Sequence, residues 1–479
     1  MSMTQVDLLI IGAGPAGMSC AIQAREAGLE VLLLDENQQP GGQIYRSVAH
    51  SPLADPGLLG KDYTVGAALV KRFLASGATY WPSTLAWQIT RDLQVSFTRN
   101  GANGSGGSGQ IQARALVIAN GAQERPVPFP GWTLPGVMSI GAAQTLLKSS
   151  ALLPSQRVVL AGSGPLLYLF AWQLIRSGSS VAAILDTTPR ANRFPALRYL
   201  FSALRAPGYL LKGMGLLKTI RGSAIPRIQH VESLSAHGQG AVGSVRYTVD
   251  GRETQIDSDL LLVHQGVIPN VQLTRSLGCE HRWDEMQLCW RPELDEWGQT
   301  SLTGIYVAGD GGGIDGAKVA ELSGAITALQ IGQQLGFLDE TVRDTKARPL
   351  KRKLDTHRAI RPFLDTLYRP AEIFRRPSDS TIVCRCEEVS AGDIRVMSRL
   401  GCTGPNQTKS FSRCGMGPCQ GRMCGITVGE ILAEARHAPM QTVGYYRIRP
   451  PIKPVQLIDL ANAYVPDANA VPMAAFVPK

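Results

Sequence analysis

The segment Val6-Asp7-Leu8-Leu9-Ile10-Ile11-Gly12-Ala13-Gly14-Pro15-Ala16-Gly17 limits what this chain can fold into more than any other stretch. Its apolar run reads as a strand buried in a parallel sheet, delivered directly into a G-x-G-x-x-G turn. Gly12 permits the tight turn, Gly14 lets the backbone approach a pyrophosphate, and Gly17 allows close packing of the next helix. That helix, expected from Met18 to about Ala27, points its positive end at the phosphates. A second apolar strand, Val31 to Leu34, ends in Asp35 and Glu36, and Asp35 lies 23 residues beyond Gly12. A carboxylate at that spacing meets a ribose diol, so the chain is expected to hold an adenine dinucleotide.

Far downstream, Gly304-Ile305-Tyr306-Val307-Ala308-Gly309-Asp310 is a short strand ending in Gly-Asp, followed by a glycine-rich turn and a helical stretch from Ala317 to about Leu335. Gly41-Gly42-Gln43 follows the first acidic pair, with Pro15 and Ala16 inside the first motif, and Ala119-Asn120-Gly121-Ala122 closes another strand. Together these resemble the FAD domain of the glutathione-reductase-like superfamily. The resemblance implies that the Asp310 carboxylate meets a ribityl hydroxyl and that the helix beginning at Ala317 faces the flavin. Asn120 departs from the usual Ala-Thr-Gly order, a swap expected to be tolerated.

A second nucleotide-type unit begins at Arg157-Val158-Val159-Leu160-Ala161-Gly162-Ser163-Gly164-Pro165-Leu166-Leu167, and Asp186 stands 24 residues beyond Gly162. Leu167 replaces the third glycine, which is expected to push the helix off the strand and weaken pyrophosphate binding. Two readings stay open: a degraded NAD(P)H site kept as scaffold, or a site that still takes an adenine nucleotide. Nothing basic stands where a 2′-phosphate would need it. His264, in Val263-His264-Gln265-Gly266, reads as a packed or hydrogen-bonded histidine. Cys20, Cys279 and Cys289 are too far apart to form a flavin-facing dithiol, so a disulfide substrate is not expected.

No apolar run reaches the roughly 18 residues of a membrane span, and with a strand expected from Val6 no leader is expected; a cytoplasmic protein, either free or peripheral at the inner face of a membrane, would follow. With 48 basic against 38 acidic residues the net charge is +10, and much of the excess lies between Arg343 and Arg376. Pro349, Pro362, Pro370 and Pro377 mark that stretch as a solvated or subunit-facing linker in preference to a nucleic-acid surface.

Beyond Ser380 the chemistry changes. Cys384-Arg385-Cys386 gives C-x-C, and Ser390 with Asp393 is expected to cap a helix from about Ala391 to Leu400. Then come Cys414, Cys419 and Cys424 in Arg413-Cys-Gly-Met-Gly-Pro-Cys-Gln-Gly-Arg-Met-Cys, with Thr427 and Glu430 expected to cap a second helix. Four thiolates in two pairs suit a tetrahedral zinc or a [2Fe-2S] cluster, and C-x-C is uncommon among zinc motifs. Gly415, Gly417 and Gly421 leave N–H groups near the sulfurs, and Arg385, Arg413 and Arg422 offset negative charge. Cys384, Cys386, Cys419 and Cys424 are the candidate ligands, with Cys414 an alternative to Cys419 and Cys402 a buried bystander. The segment resembles the bacterioferritin-associated-ferredoxin type of [2Fe-2S] domain, departing from its common C-x2-C ending.

The fold expected is α/β: a Rossmann-like flavoprotein of glutathione-reductase type with two dinucleotide-binding domains, plus a small helical C-terminal [2Fe-2S] domain. The FAD-binding domain would comprise 1–140 and 295–340, with a second nucleotide domain at 141–294. A basic linker at 341–378, the cluster domain at 379–440 and a Pro-rich tail at 441–479 follow. Within this plan Ala102 to Gly109 is a flexible turn, and residues 444–455 suit either an extended tail on a partner or a loose surface tail.

With Pro40-Gly-Gly-Gln-Ile-Tyr-Arg46, Pro128-Phe-Pro-Gly-Trp-Thr-Leu-Pro-Gly-Val137 and Gly444-Tyr-Tyr-Arg-Ile-Arg-Pro-Pro451, this order is similar to the α (A) subunit of heteromeric dye-linked amino-acid dehydrogenases. That family includes D-hydroxyproline dehydrogenase and the opine oxidases, and hydrogen cyanide synthase is related to it. The resemblance implies a β subunit with its own FAD that oxidises the amine, an FMN at a subunit interface and, in some complexes, a small third subunit. Electrons would pass through this chain's FAD and cluster to a quinone, a dye or the respiratory chain. The sequence itself contains no carboxylate-clamping arginine placed over a substrate pocket. A free-standing NADH-dependent flavin or ferredoxin reductase is the competing reading, and an iron-sulfur carrier or sensor a third.

Overall fold

In the computed structural model, residues 4–100, 106–154 and 157–463 are described. Residues 102–105 of the expected turn lie outside them, as does the tail beyond residue 463, whereas Gly107 to Gly109 belong to a strand and not to a turn, paired with Phe97 to Arg99. Strand Thr4–Ile11 pairs in parallel with Val31–Leu34 on one side and with Gly107–Ile118 on the other. The strand Ile305–Val307 returns to this sheet beside Gly107–Ile118, almost 200 residues after leaving it, which closes the first domain from two separate pieces of chain. Leu8, Leu9 and Ile10 are wholly buried, as a strand covered on both faces requires. Helix Pro15–Glu26 begins three residues earlier than the apolar pattern suggested, because proline suits the first helical turn. It packs along Ala317–Gln334, and their approach is so close that a Cβ on Gly324 would stand 2.0 Å from the Ala16 carbonyl oxygen.

The second sheet is built around Val158–Gly162, with Val181–Asp186 on one flank and Leu260–His264 on the other, all parallel. A three-stranded antiparallel sheet from Ser233–His237 to Arg252–Asp257 is attached to it.

The stretch expected to be a linker is instead mostly helical. Helix Glu340–Arg358 runs straight through Pro349. Its Leu350 and Leu354 pack on Val319 and Ile326 of helix Ala317–Gln334, and the Arg343 guanidinium lies 4.5 Å from the Trp297 ring centre. Helix Arg361–Leu367 then leans on the second nucleotide domain, where the Asn192 amide donates to the carbonyls of Leu367 and Arg369 at 3.1 and 2.9 Å.

The cysteine-bearing unit shares its core with the flavin-type domain. One continuous apolar cluster runs from Leu9 and Leu116 through Trp283 and Trp290 to Ile426, Ile431 and Tyr446. The Ser390–Asp393 capping box forms as expected on helix Ala391–Arg399. The second cap does not: helix Gly425–Ala435 starts directly after Cys424, placing Thr427 inside it, and Glu430 is buried against Arg375 instead. Helix Pro405–Ser412, not anticipated, occupies the intervening loop. Residues 444–453 also differ from expectation, because they strap the chain's own body. Tyr446, Ile448 and Ile452 are buried, and the Ile452 N–H donates to the Trp87 carbonyl at 3.1 Å.

Candidate functional site

The first glycine motif builds an open cradle. Gly12 has φ +107°, and a Cβ there would lie 2.5 Å from the Ala119 carbonyl oxygen. A Cβ on Gly17 would come within 1.8 Å of the Gly12 oxygen, so the turn and the helix behind it admit only glycine. Gly14 and Gly42 face each other across the cradle: a Cβ on Gly42 would reach the Gly14 Cα at 2.8 Å. The two candidate acids divide the work. Asp35 is buried, accepting the Ala13 N–H at 2.6 Å and both the N–H and side-chain amide of Asn37 at 2.7 Å, so it shapes the turn. Burial pushes its carboxyl upward in spite of those donors. Glu36 is exposed and ion-paired with Lys453 of the strap, and both line the cavity.

At the other end, Asp310 accepts the N–H groups of Asp315 and Gly316 at 3.0 and 2.8 Å, pinning the turn that opens helix Ala317–Gln334. Gly309 abuts Ala16, and Gly121, at φ +63°, has open space where its Cβ would be. The Asn120 amide donates to the Asn270 carbonyl at 3.0 Å, while its Oδ1 is buried with no protein partner. All of these residues except Gly17 line or adjoin one cavity of about 2270 Å3. Typical small-molecule sites run to roughly 300–1,000 Å3, so a dinucleotide fits with space remaining. The glycine cradle, the orphaned Asn120 oxygen and the paired acids fit FAD.

The same cavity continues to the second unit, where Ser163, Gly164 and Pro165 line it. Gly162 and Gly164 have φ of +141° and +117°, so the turn is of nucleotide-binding type. Its acid, however, is engaged. Asp186 accepts the Tyr168 hydroxyl at 2.6 Å, the Arg227 guanidinium at 2.9 Å and the Thr188 N–H at 3.0 Å. Leu167 is fully buried beneath the turn, and the Tyr368 ring lies 6.2 Å from that of Tyr168. His264 is packed as expected, its Nδ1 2.7 Å from Glu124.

Two features of the cavity wall escaped the sequence reading. Lys148 is 4% exposed, and its ammonium donates to the Gln43 carbonyl and the Gln144 side chain at 3.0 Å each. Burial, with the Arg46 charge nearby, pushes its pKa down to about 7. Its place four residues after Gln144 in an otherwise apolar helix was the available signal. Arg385, Arg422 and Met423 also face the cavity, although each lies within two residues of a cysteine in sequence.

Those cysteines form one nest. The sulfurs of Cys384, Cys414 and Cys424 lie within 4.8 Å of one another, all buried, while the Cys386 thiol hydrogen-bonds with Cys419 at the rim. The C-x-C pair is therefore split: Cys384 faces Cys414 and Cys424, and Cys386 faces Cys419. Hydrogen bonds from Cys414 and Cys424 hold the Cys384 thiol far below its ordinary pKa, which is the electrostatic setting of a thiolate ligand. Gly417 is required here, since its Cβ would lie 2.2 Å from that of Cys386. The Tyr446 ring fills the space beside Gly415 and Gly421 and its hydroxyl donates to Cys414 at 3.4 Å. Such a donor set fits a thiolate-held iron centre, with five sulfurs available for four ligand positions. Cys402 stays apart and buried, and burial raises the thiols of Cys20 and Cys289, the latter to about 12.

The nest docks on the crossing between the domains. Gln123 donates to the Arg422 carbonyl at 3.0 Å, and the Trp132 indole donates to the Ile382 carbonyl at 2.6 Å.

Two nucleotide-type sheets, each with a parallel centre, around a shared cavity define an oxidoreductase of the flavin- and nicotinamide-binding class, here carrying a thiol nest. Comparison with known families agrees, for the pyridine nucleotide-disulphide oxidoreductase profile matches residues 6–324 and the sarcosine oxidase A3 domain profile matches 378–463. The chain belongs to the first of these families and, within it, to the opine oxidase A subunits. It is 46% identical to the opine oxidase A-type subunit of Rhizobium meliloti over 95% of this chain and 87% of that one. It is 33% identical to hydrogen cyanide synthase subunit HcnB of Pseudomonas protegens over 93% of this chain and 96% of the other. The crystal structure of L-proline dehydrogenase from P. horikoshii superposes with a TM-score of 0.69, covering 96% of this chain and 80% of that one at 20% identity, a likeness of fold. No helix among the described residues is long and apolar enough to cross a membrane.

Proposed function

We propose that this chain is the electron-transfer subunit of a heteromeric dehydrogenase that oxidises the CH–NH group of an amino acid or opine, D-hydroxyproline and opine-like secondary amines being the donors to test first. Amine oxidation belongs to a β subunit with its own FAD, an FMN lies at the subunit interface, and a quinone, dye or respiratory chain accepts the electrons. The observation that carries this reading is the common wall: Arg385, Arg422 and Met423 border the dinucleotide cavity while adjoining the thiol nest.

FAD supplies the exchange between two-electron and one-electron chemistry, and an iron-sulfur centre supplies single-electron transfer. The chain's own residues do the rest. Gly12, Gly14 and Gly42 let the backbone approach the pyrophosphate, Glu36 presents a carboxylate to the ribose side, and Asp310 fixes the turn before the last helix. Cys384, Cys386, Cys419 and Cys424 hold a [2Fe-2S] centre, with Cys414 beside them as the fifth thiol. Support for the partner comes from the relatives, which are named as subunits of opine oxidase and hydrogen cyanide synthase.

The test is the complex purified through this chain, assayed for flavin, iron and sulfide. The Cys384→Ser/Cys386→Ser variant is expected to lose iron and dye reduction while the partner's amine-dependent flavin bleaching persists. Oxidation of an amine by this chain alone would overturn the proposal. Rapid flavin bleaching by NADH alone would favour the reductase reading instead, against which the engaged Asp186 argues.

A further inference from the structure

The second nucleotide domain carries an excursion from Thr187 to Val231 with eight arginines and lysines and no aspartate or glutamate. It folds as helices Arg193–Leu197, Leu200–Ala203 and Pro207–Arg221. Their inner side is occupied: Ala203 and Ala206 pack on Ile360 of the helical connector, and Leu216 and Ile220 enter the domain core. The outer side is not what a solvated surface requires. Phe194 and Phe201 are 84% and 85% exposed, and Leu197, Leu204, Leu211 and Met214 are more than half exposed. From Phe194 to Leu211 these residues follow one another at three-, four- and seven-residue intervals. Single exposed apolar residues are unremarkable, but two exposed phenylalanines among four such neighbours mark an interaction surface.

Charge narrows the occupant. Lys212 pairs with Asp62 and Arg190 with Asp250, whereas Arg198, Arg205, Lys218 and Arg221 have no carboxylate within salt-bridge reach among the described residues. Phenylalanine, methionine and arginine together, with apolar residues central, match the composition of protein–protein interface cores more closely than a lysine-rich lipid-binding face. The back of helix Pro207–Arg221 also matters, because Gly208, Lys212, Gly215 and Thr219 line the dinucleotide cavity. One helix thus separates the cavity from this face.

We propose that the exposed face of 193–221 is the docking site for the amine-oxidising partner subunit, which presents an apolar centre rimmed by aspartate and glutamate. The inference rests on the heteromeric reading above and deepens it by placing the partner against the helix Pro207–Arg221 that lines the dinucleotide cavity. Docking there buries Phe194 and Phe201, and Arg198 and Arg205 steer the encounter.

The test is hydroxyl-radical footprinting of the isolated chain and of the purified complex, with Phe194, Phe201 and Met214 as probes. Labelling is expected to fall about tenfold in the complex, as for residues in a desolvated interface core. Phe194→Ser/Phe201→Ser is expected to weaken association by on the order of a hundredfold while flavin content, iron content and melting temperature stay at wild-type values. Arg198→Glu/Arg205→Glu is expected to slow association at low salt and leave it little changed at high salt. Undiminished labelling in an intact complex overturns the surface assignment and leaves the heteromeric function standing. Protection only by phosphatidylglycerol vesicles overturns it in favour of a lipid surface. Failure of any flavoprotein subunit to co-purify with the wild-type chain overturns both.

Discussion

Replacing Arg375 with methionine tests how the thiol nest is held to the rest of the protein. Arg375 and Glu430 form an ion pair in which the side chains are 7% and 2% exposed. Glu430 sits in helix Gly425–Ala435, whose first residue follows Cys424 directly. Burial pushes the Glu430 carboxyl above its ordinary range, with Arg375, Arg125 and Arg376 pulling the other way. Removing Arg375 strips away the largest of those opposing charges and leaves a carboxylate with almost no water to solvate it. Breaking a buried pair from one side costs about 3–5 kcal/mol, which is a large part of the roughly 5–15 kcal/mol that holds a typical domain folded. The Arg375→Met/Glu430→Leu double variant fills similar volume without charge and is expected within about 1 kcal/mol of wild type. Urea unfolding followed by tryptophan fluorescence is a suitable assay, because the Trp132 indole bonds to the cysteine-bearing hairpin at Ile382. A loss below about 1 kcal/mol in Arg375→Met, or a double variant as unstable as the single one, would refute the reasoning.

Three further outcomes are expected. Gly17→Val should abolish flavin retention, read as the absorbance ratio of purified protein, since even a Cβ there meets the Gly12 oxygen at 1.8 Å. Burial raises Asp365 to about 6, with Arg361 opposing, so the folded state holds a proton that the unfolded chain has released above pH about 4. Stability from this group is full at low pH and declines as pH climbs from about 4 to about 6, by at most about 3 kcal/mol, and Asp365→Asn should flatten that slope in urea titrations. Lys148 has the opposite sense: its folded pKa of about 7 lies below 10.5, so the penalty of its buried charge is full below pH 7 and is relieved as pH rises. Chemical denaturation of flavin-free protein should show stability rising between pH 7 and 10, by at most about 5 kcal/mol, with Lys148→Met removing the rise.

The flavin cradle was legible because its constraints are local. Gly12 and Gly17 must lack side chains for reasons contained within a dozen residues, and the acids at 35 and 36 follow one strand later. What stayed hidden depends on contacts made across the fold. Leu350 and Leu354 recur at helical spacing, yet the surrounding charge and Pro349 disguised a packed helix as a connector. Nothing near Tyr446 in sequence announces that it fills the gap beside Gly415 and Gly421, so residues 444–453 read as a tail rather than a strap. The grouping of Cys384 with Cys414 and Cys424, and of Cys386 with Cys419, is set by two helices and the loops around them. The state of Asp186 was equally out of sight, because Tyr168 and Arg227 reach it from separate elements.

Under the function proposed above, that arrangement bears on how such a subunit would avoid short circuits. A cell's pool of reduced pyridine nucleotide would compete with any slower electron donor for a shared flavin. Occupying the carboxylate that ordinarily grips a coenzyme's sugar, with a phenol and a guanidinium already in the protein, lowers the affinity of that entrance without dismantling the sheet around it. On the electron-transfer reading proposed above, the unit would go on buttressing its neighbour as architecture while current entered by a different door.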